Sequence, residues 1–476
     1  MVARRTNHKA EAATSAGLNK ALTLAAMSLG FVVVQLDVTV VNVALKSIES
    51  SLGSSVAGLQ WVVNAYTIAF AALIMTAGAA GDRIGSKRVF TTGFSVFILS
   101  SLGCAIAPNL GILILSRAVQ GIGAALLVPN SLALLNHAYP EEKDRTKAIG
   151  IWAAGASVAL AAGPVVGGIL ISLIGWRSIF FINLPIGLVG LWLTWRYVEE
   201  TVKAKRRGLD FTGQILVIFA LADFAAATIE AGAVGWTNVW VLSGLGAFAL
   251  SAAAFVWVEA KGRDPMLQLS FFSDRTFTSA TLIGWLINVA YYGLIFVLSL
   301  FFQQIKNYGT LKTGLAFLPM TAVVLIANLS ATRLSTWLRS KYTLLIGQVF
   351  FAIGCFTLLR LAPGTPYLYM SPQLLAIGAG IGLTVPPMTS VLLGTVEKQH
   401  SGIASGVLNS ARQAGSVVGV AVFGSLIAQK AHFVPGLHAA LLISGVAALI
   451  GGSLALLVAD KSNRNQQRTS DRRRAA

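Results

Sequence analysis

Charge is scarce in this chain of 476 residues. Asp, Glu, Lys and Arg make up only 11% of it, against about 25% in a soluble domain. So few charges could not cover a surface in water, which excludes a soluble enzyme. Cysteine is nearly missing. Cys104 and Cys355 each lie inside an apolar run and read as small buried hydrophobes rather than a disulfide or a metal site. The five histidines (His8, His137, His400, His432 and His438) fall in tails, loops or run ends, with no pair at ligand spacing on one helix. No metal and no cofactor is therefore expected. There is no G-x-x-x-x-G-K-[ST] loop, so ATP is not the direct driver, and no polar segment is long enough for a catalytic domain. The alternating segments of about 10 residues that build a transmembrane β-barrel are absent too.

What the chain has instead is apolar length. Hydrophobic residues make up 55% and mean hydropathy is +0.73, in runs that meet the about 20 residues needed per membrane crossing. Fourteen spans are predicted, near 21–44, 58–79, 89–107, 111–136, 148–173, 178–195, 211–231, 238–258, 276–302, 313–332, 342–361, 371–392, 402–429 and 438–459. The first carries Gln35, Asp37 and Asn42 and is too long for a cleaved signal core, so it reads as a retained span. With the N-terminus inside, inside segments hold 28 of the 36 Lys and Arg residues, whereas outside segments hold six: Lys46, Arg177, Lys306, Lys312, Arg360 and Lys430. Cytoplasmic loops retain positive charge, so both termini are expected in the cytoplasm. The net charge of +18 is scattered between apolar runs, which argues against a nucleic-acid partner. The tail ending in Arg472, Arg473 and Arg474 is expected in solvent near anionic lipid.

Composition divides the chain. A cytoplasmic tail at 1–20 precedes six spans in 21–200. Two further spans with charged flanking loops occupy 201–270, six more lie in 271–460, and a basic cytoplasmic tail covers 461–476. The expectation is an all-α polytopic membrane protein of two bundles with an inserted pair.

Several short patterns stand out. Gly155, Ala159, Gly163 and Gly167 share one face of the fifth span, where small residues let another helix approach closely, and Pro164 should bend the helix beside them. Ordinary packing and a moving or leak-sealing interface both fit this face. The loop after the second span reads Gly78-Ala79-Ala80-Gly81-Asp82-Arg83-Ile84-Gly85-Ser86-Lys87-Arg88, a tight turn dense in charge.

Taken together, these patterns resemble the major facilitator superfamily and, within it, the fourteen-span drug:proton antiporter family of the multidrug efflux type. The 78–88 loop resembles the superfamily motif G-x-L-A-D-R-x-G-R-K, departing from it at Ala80, Gly81 and Ser86. Leu113 to Gly121, with Arg117 and Gln120, is similar to L-x-x-x-R-x-x-Q-G. Gly150, Gly163, Pro164 and Gly167 fit the antiporter motif G-x8-G-x3-G-P-x2-G, with Ala159 at its second glycine. Leu36 to Leu45 resembles the first-span signature of the fourteen-span family, with Lys46 in place of its usual proline. Trp176, Arg177, Phe180, Asn183, Pro185 and Gly187 fit that family as well.

Intramembrane charges are the candidates for mechanism, because an ionised group at mid-bilayer costs about 2.5–3.5 kcal/mol even on the permissive insertion scale. They are Asp37, Arg117, Asp223, Glu230 and Arg412. At helical spacing Ser28, Gln35, Thr39 and Asn42 share one face of the first span, with Gln35, Thr39 and Asn42 expected to line the substrate cavity, and Asp37 falls nearly opposite. The resemblance places the first and fourth spans on one cavity wall. It thereby implies an Asp37–Arg117 pair that takes up a proton while a cationic substrate competes for the carboxylate; a static ion pair is the plainer alternative. Thr281, Trp285, Asn288, Tyr292, Ser299 and Gln303 form a stripe on the ninth span, expected either to line the cavity with Gln120 or to pack between helices. Asp223 reads as structural or as a substrate contact, Glu230 as solvated, and Arg412 as packing or salt-bridging.

The resemblance implies a proton-coupled exporter working by alternating access. It would be a monomer in the cell membrane (the inner one in a Gram-negative cell), with protons, lipids and a hydrophobic or cationic small molecule as its partners. A dedicated exporter of one metabolite or antibiotic is the close rival, and a proton-coupled importer the more distant one.

Overall fold

The structure, a computed structural model, describes residues 2–201, 210–262, 265–397 and 400–459, with backbone alone for 2–16 and 430. The basic tail 461–476, most of the loop after Thr201 with its four basic residues, Arg263 and Lys398 lie outside the described residues.

The described chain is helical throughout. Its helices are α1 (Val2–Leu52), α2 (Val56–Ile84), α3 (Ser86–Ala105), α4 (Leu110–Ala138), α5 (Glu142–Leu173), α6 (Ser178–Phe181) and α7 (Asn183–Tyr197). They continue with α8 (Phe211–Val234), α9 (Val239–Lys261), α10 (Arg275–Leu300), α11 (Thr310–Thr357), α12 (Tyr367–Leu393), α13 (Ser401–Leu426) and α14 (Phe433–Leu456). Polar side chains set several starts by accepting from amides that no preceding turn can satisfy. Asn109 Oδ1 accepts from Ile112 N at 3.0 Å, Asp210 Oδ1 from Gly213 N at 2.8 Å, and Asp274 Oδ1 from Thr276 N at 2.8 Å. Among the described residues twelve helices are long and apolar enough to cross a membrane. One of the twelve, Thr310–Arg360, contains two rods joined at Arg339, whose φ of 67° leaves helical geometry. The helix α13, interrupted by Asn409, Arg412, Gln413 and several serines, is not among them.

Two differences from the expected boundaries have local causes. The loop expected at 333–341 is a single-residue break, because the segment Leu334–Lys341 continues helical up to Arg339 and resumes after it. The sixth span is split into α6 and α7 around Ile182, just before Pro185, whose ring cannot continue an unbroken hydrogen-bond ladder.

Helices α1 to α7 pack among themselves, chiefly α1 on α5 and α7, α2 on α4, and α3 on α4 and α7. Helices α10 to α14 form a second group, with α10 on α13 and α14, and α11 on α12 and α14. The groups meet where α5 lies on α11 and α2 on α13. The pair α8–α9 attaches through α8 to α2 and α13, while α9 buries only Val241 and Glu259 and turns Trp240, Leu250 and Trp257 outward. Hydrophobic packing is uneven along the long axis. Away from the Gly81–Arg88 turn, one apolar cluster runs unbroken through both groups, from Val40 and Leu45 to Phe296 and Phe301. At the turn's own end the core separates into two clusters, one within α1–α7 and one centred on α10–α14. Between these two clusters the molecule is open.

Candidate functional site

The opening is a cavity of about 1150 Å³, a little above the roughly 300–1,000 Å³ of small-molecule sites. Its deep walls are largely apolar and aromatic, with Phe31, Phe70, Trp152, Tyr291 and Tyr292, and polar groups from Gln35, Asn328, Asn409, Arg412 and Gln413. The mouth is bordered by Asp82, Asp210 and His400, which places it at the end of the Gly81–Arg88 turn.

The opposite end is shut by contacts between the two groups. Gln60 Nε2 of α2 donates to the carbonyls of Val420 (3.0 Å) and Ala421 (2.8 Å) on α13. Lys46 Nζ donates to the Gln303 carbonyl at 2.6 Å, Ser299 Oγ to the Asn42 carbonyl at 2.5 Å, and Gln304 Nε2 to Glu49 at 2.8 Å. On the other flank α5 meets α11. Thr321 Oγ1 donates to the Ala161 carbonyl at 3.0 Å, a Cβ at Gly168 would lie 2.9 Å from the Thr310 carbonyl, and one at Gly314 would strike the Pro164 carbonyl. Pro164, inside the continuous helix α5, thus sits within the closure. A side chain at Gly163 would collide with Thr39 Oγ1 of α1.

Asp37 is fully buried, on the side of α1 away from the cavity. Its carboxylate accepts from Arg117 Nη1 at 2.5 Å, from Gln120 Nε2 at 3.0 Å and from Asn183 Nδ2 at 3.2 Å. Ser101 Oγ accepts from Gln120 Nε2 at 2.8 Å. Arg117 also donates through Nε to the Val62 carbonyl at 3.1 Å and lies over the Tyr66 ring at 4.3 Å. Helices α1, α2, α3, α4 and α7 are therefore tied together at one charge pair. Burying both ions is tolerated because both carboxylate oxygens are hydrogen-bonded and the guanidinium has acceptors for Nε and Nη1.

The remaining expected residues fall into three places. Gln35, Tyr292 and Arg412 reach the cavity, as do Gly78 and Asp82 near its mouth. Asn42 and Tyr292 line a small void of about 20 Å³ between cavity and closure. Thr39, Gln120, Trp285 and Asn288 do not line the cavity: Thr39 donates to the Leu36 carbonyl, Gln120 belongs to the Asp37 cluster, Trp285 packs half-buried on the core and Asn288 folds back to the Gly284 carbonyl at 2.7 Å. Asp223 lies near Ser251 of α9, 3.4 Å from its hydroxyl, within the inserted pair, and Glu230 is exposed. Gly150 is exposed, and a Cβ added there would meet nothing within 4 Å, unlike one at Gly163 or Gly167.

At the 78–88 turn Gly85 has φ 108°, a backbone that side chains resist, and a Cβ there would lie 2.5 Å from the Glu200 carboxyl. That carboxylate accepts from Lys87 N at 2.8 Å and Arg88 N at 3.3 Å, capping α3, with Arg88 Nε 3.9 Å away; Lys87 Nζ donates to the Trp195 carbonyl at 3.3 Å, and Arg83 is exposed. Sequence reasoning did not single out Glu200, Gln60 or Ser101. Asn183 was visible within the pattern following Trp176, though without its link to Asp37.

With this geometry in place, the chain can be set beside known proteins. The Major Facilitator Superfamily pattern matches residues 27–420. The chain is 38% identical over 430 residues to the methylenomycin A resistance protein of Streptomyces coelicolor, covering 90% of each. It is 37% identical over 407 residues to the multidrug resistance protein Stp of Mycobacterium tuberculosis, covering 86% of this chain and 76% of that one. Its fold is similar to that of the human organic anion transporter MFSD10 (TETRAN), with a TM-score of 0.66 at 16% identity over 92% of this chain and 99% of that one. The chain belongs to the major facilitator superfamily and, within it, to the drug-efflux transporters. It is a multi-pass membrane protein and not an enzyme.

Proposed function

We propose that this transporter exports lipophilic small molecules from the cytoplasm in exchange for protons, by alternating access. The observation that carries the reading is the one-sided cavity: open between separate cores at the 78–88 end, closed at the other by α1–α10, α2–α13 and α5–α11 contacts. Such a shape is one half of a cycle in which two bundles rock about a midplane site. The bundles are 21–200 and 271–460, with 201–270 as an appended pair. The crossings number fourteen when the two rods of α11 are counted separately and α13 is included. The excess of Lys and Arg at the open end supports a cytoplasmic mouth and cytoplasmic termini.

Asp37 is the proton carrier in this reading. Because its carboxylate lies off the cavity wall, coupling runs through helix position rather than through direct displacement by a cationic substrate. Protonation weakens the hold of Arg117 and Gln120 on α1 and so frees α1 from α4 and α7. The same helix carries the cavity residue Gln35 and the closure residues Asn42, Lys46 and Glu49. Gly163, Pro164, Gly167 and Gly314 provide the tight seam along which α5 separates.

The test is a toxicity panel in an efflux-deficient host, with and without a protonophore. Protection that disappears on collapse of the gradient supports antiport; export that persists contradicts it. A second reading, a dedicated exporter of one compound, is favoured by the resemblance to a protein named for resistance to a single antibiotic. Protection against one compound rather than many would select it.

A further inference from the structure

Arg117 and Arg412, the two arginines placed within the expected spans, stand in opposite situations. Arg117 is enclosed with a carboxylate, an amide oxygen and a carbonyl. Arg412 lies on the wall of the cavity, and among the described residues no carboxylate pairs with it. Its Nε is shut off from solvent yet has no acceptor. The side-chain stem rests on α10 at Gly284, where a Cβ would lie 3.3 Å from Arg412 Cγ, and the α10–α13 contact is tight because Gly415 leaves no side chain against the Trp285 carbonyl. The guanidinium is thereby held in place beside Tyr292 and Gln413, both also on the cavity wall.

The acidic side chains of the wall are elsewhere. Among the described lining residues the carboxylates are Asp82 and Asp210, both at the mouth. Asp210 is occupied in capping α8, and Asp82 has partners of its own. The deep half therefore carries a positive charge and no negative one. A guanidinium in a largely apolar enclosure is unfavourable until an anion meets it, and it matches a carboxylate with two parallel N–H donors. An organic cation entering the same space would meet the Arg412 charge with only aromatic faces, and no carboxylate among the described deep lining residues, to offset it.

We propose that Arg412 forms an anion subsite deep in the cavity, so that the transported compounds are lipophilic acids, oriented with the acidic group towards Arg412 and the apolar body against Phe70, Trp152 and Tyr291. This assignment rests on the export reading for its physiological meaning, but binding tests it separately.

The probes are pyrenebutyric acid, pyrenebutyramide and pyrenebutylamine, which share one aromatic body and differ in charge. Binding to the purified full-length protein in detergent is read by fluorescence anisotropy against empty micelles, and export by uptake into inside-out vesicles with and without a protonophore. Expected is tighter binding of the acid than of the amide, and weakest binding of the amine. In Arg412→Gln the acid-to-amide affinity ratio falls at least tenfold, and in Arg412→Lys it recovers in large part. Equal binding of acid and amide by the unaltered protein, preference for the amine, or an unchanged ratio in Arg412→Gln overturns the subsite. So does a loss equal for all three probes in both variants, which assigns Arg412 to helix packing. Gradient-driven export with an unchanged ratio removes the subsite and leaves the export reading standing. A charge-dependent ratio with gradient-independent uptake does the reverse.

Discussion

At Asp37 the energetic and the mechanistic arguments separate cleanly. Removing one member of a buried, hydrogen-bonded ion pair leaves the other uncompensated, at a cost of about 3–5 kcal/mol. Asp37→Leu should therefore lower the melting temperature of the purified protein markedly, since Arg117 keeps only Gln120 and the Val62 carbonyl. The double variant Asp37→Leu/Arg117→Met removes both charges and should regain most of that loss, yet stay inactive in gradient-driven export. Recovery of export together with stability would make the pair purely structural. Asp37→Asn keeps the amide and hydroxyl neighbours close to their places but cannot release a proton. Substrate-induced proton release, followed with a pH dye, should vanish in it while substrate binding persists. Asp37 and Arg117 were each legible in the sequence because a charge inside an apolar span is costly and needs a reason, and the family resemblance implied their pairing. The pair's neutral partners Ser101 and Asn183 were not, because isolated polar residues on a helix carry no period to mark them. Arg412 was visible as a charge, but that no carboxylate among the described residues pairs with it is a three-dimensional fact.

The helices differ in how much they depend on small side chains. In α5, Gly163 and Gly167 lie against Thr39 and Val40 of α1, while Gly150 meets nothing. Adding bulk to a packed seam costs about 1–3 kcal/mol. Gly163→Val should thus push α5 from α1 and loosen the closed end, read as faster labelling of a Gln304→Cys reporter by an impermeant maleimide. Gly150→Ala should leave labelling unchanged and stabilise by up to about 1 kcal/mol, as alanine does over glycine in a helix. The motif glycines were legible together as a pattern, but only packing distinguishes the one that matters from the one that does not. At the other end of the bundle, Glu200→Gln weakens the cap on α3 by about 1 kcal/mol, and Gly85→Ala adds both backbone strain and a clash with that carboxyl. Many helix limits followed the apolar runs to within a few residues, but α1 extends from Val2 to Leu52, well beyond the apolar run at 21–44. The kink at Arg339 did not follow them either, because a single residue outside helical geometry leaves no trace in hydropathy.

For the whole molecule, the proposed alternating-access cycle requires that the contacts at the closed end break each time the cavity changes sides. Gln304 and Glu49 are joined by a 2.8 Å hydrogen bond across the two bundles, so their positions can be tied by a short bis-methanethiosulfonate linker after Gln304→Cys/Glu49→Cys. Linking that double variant should stop export while substrate still binds from the open side, and a reductant should restore transport. Unimpeded export in the linked form would mean that this end does not open. The appended pair α8–α9, which touches the rest mainly through α8 and exposes most of α9, can ride with the α2–α13 contact without itself rearranging.

Most of the polar contacts across the closed end have a main-chain carbonyl on one side: Val420 and Ala421 for Gln60, Gln303 for Lys46, Asn42 for Ser299, Ala161 for Thr321. A carbonyl survives any replacement of its residue. Neutral drift can therefore rewrite the carbonyl-bearing positions of this gate, which lie on both bundles, without unlatching it, whereas the donor side chains that face them have no such freedom. Selection for new cargo would then leave the latch alone and accumulate its changes among the side chains of the vestibule.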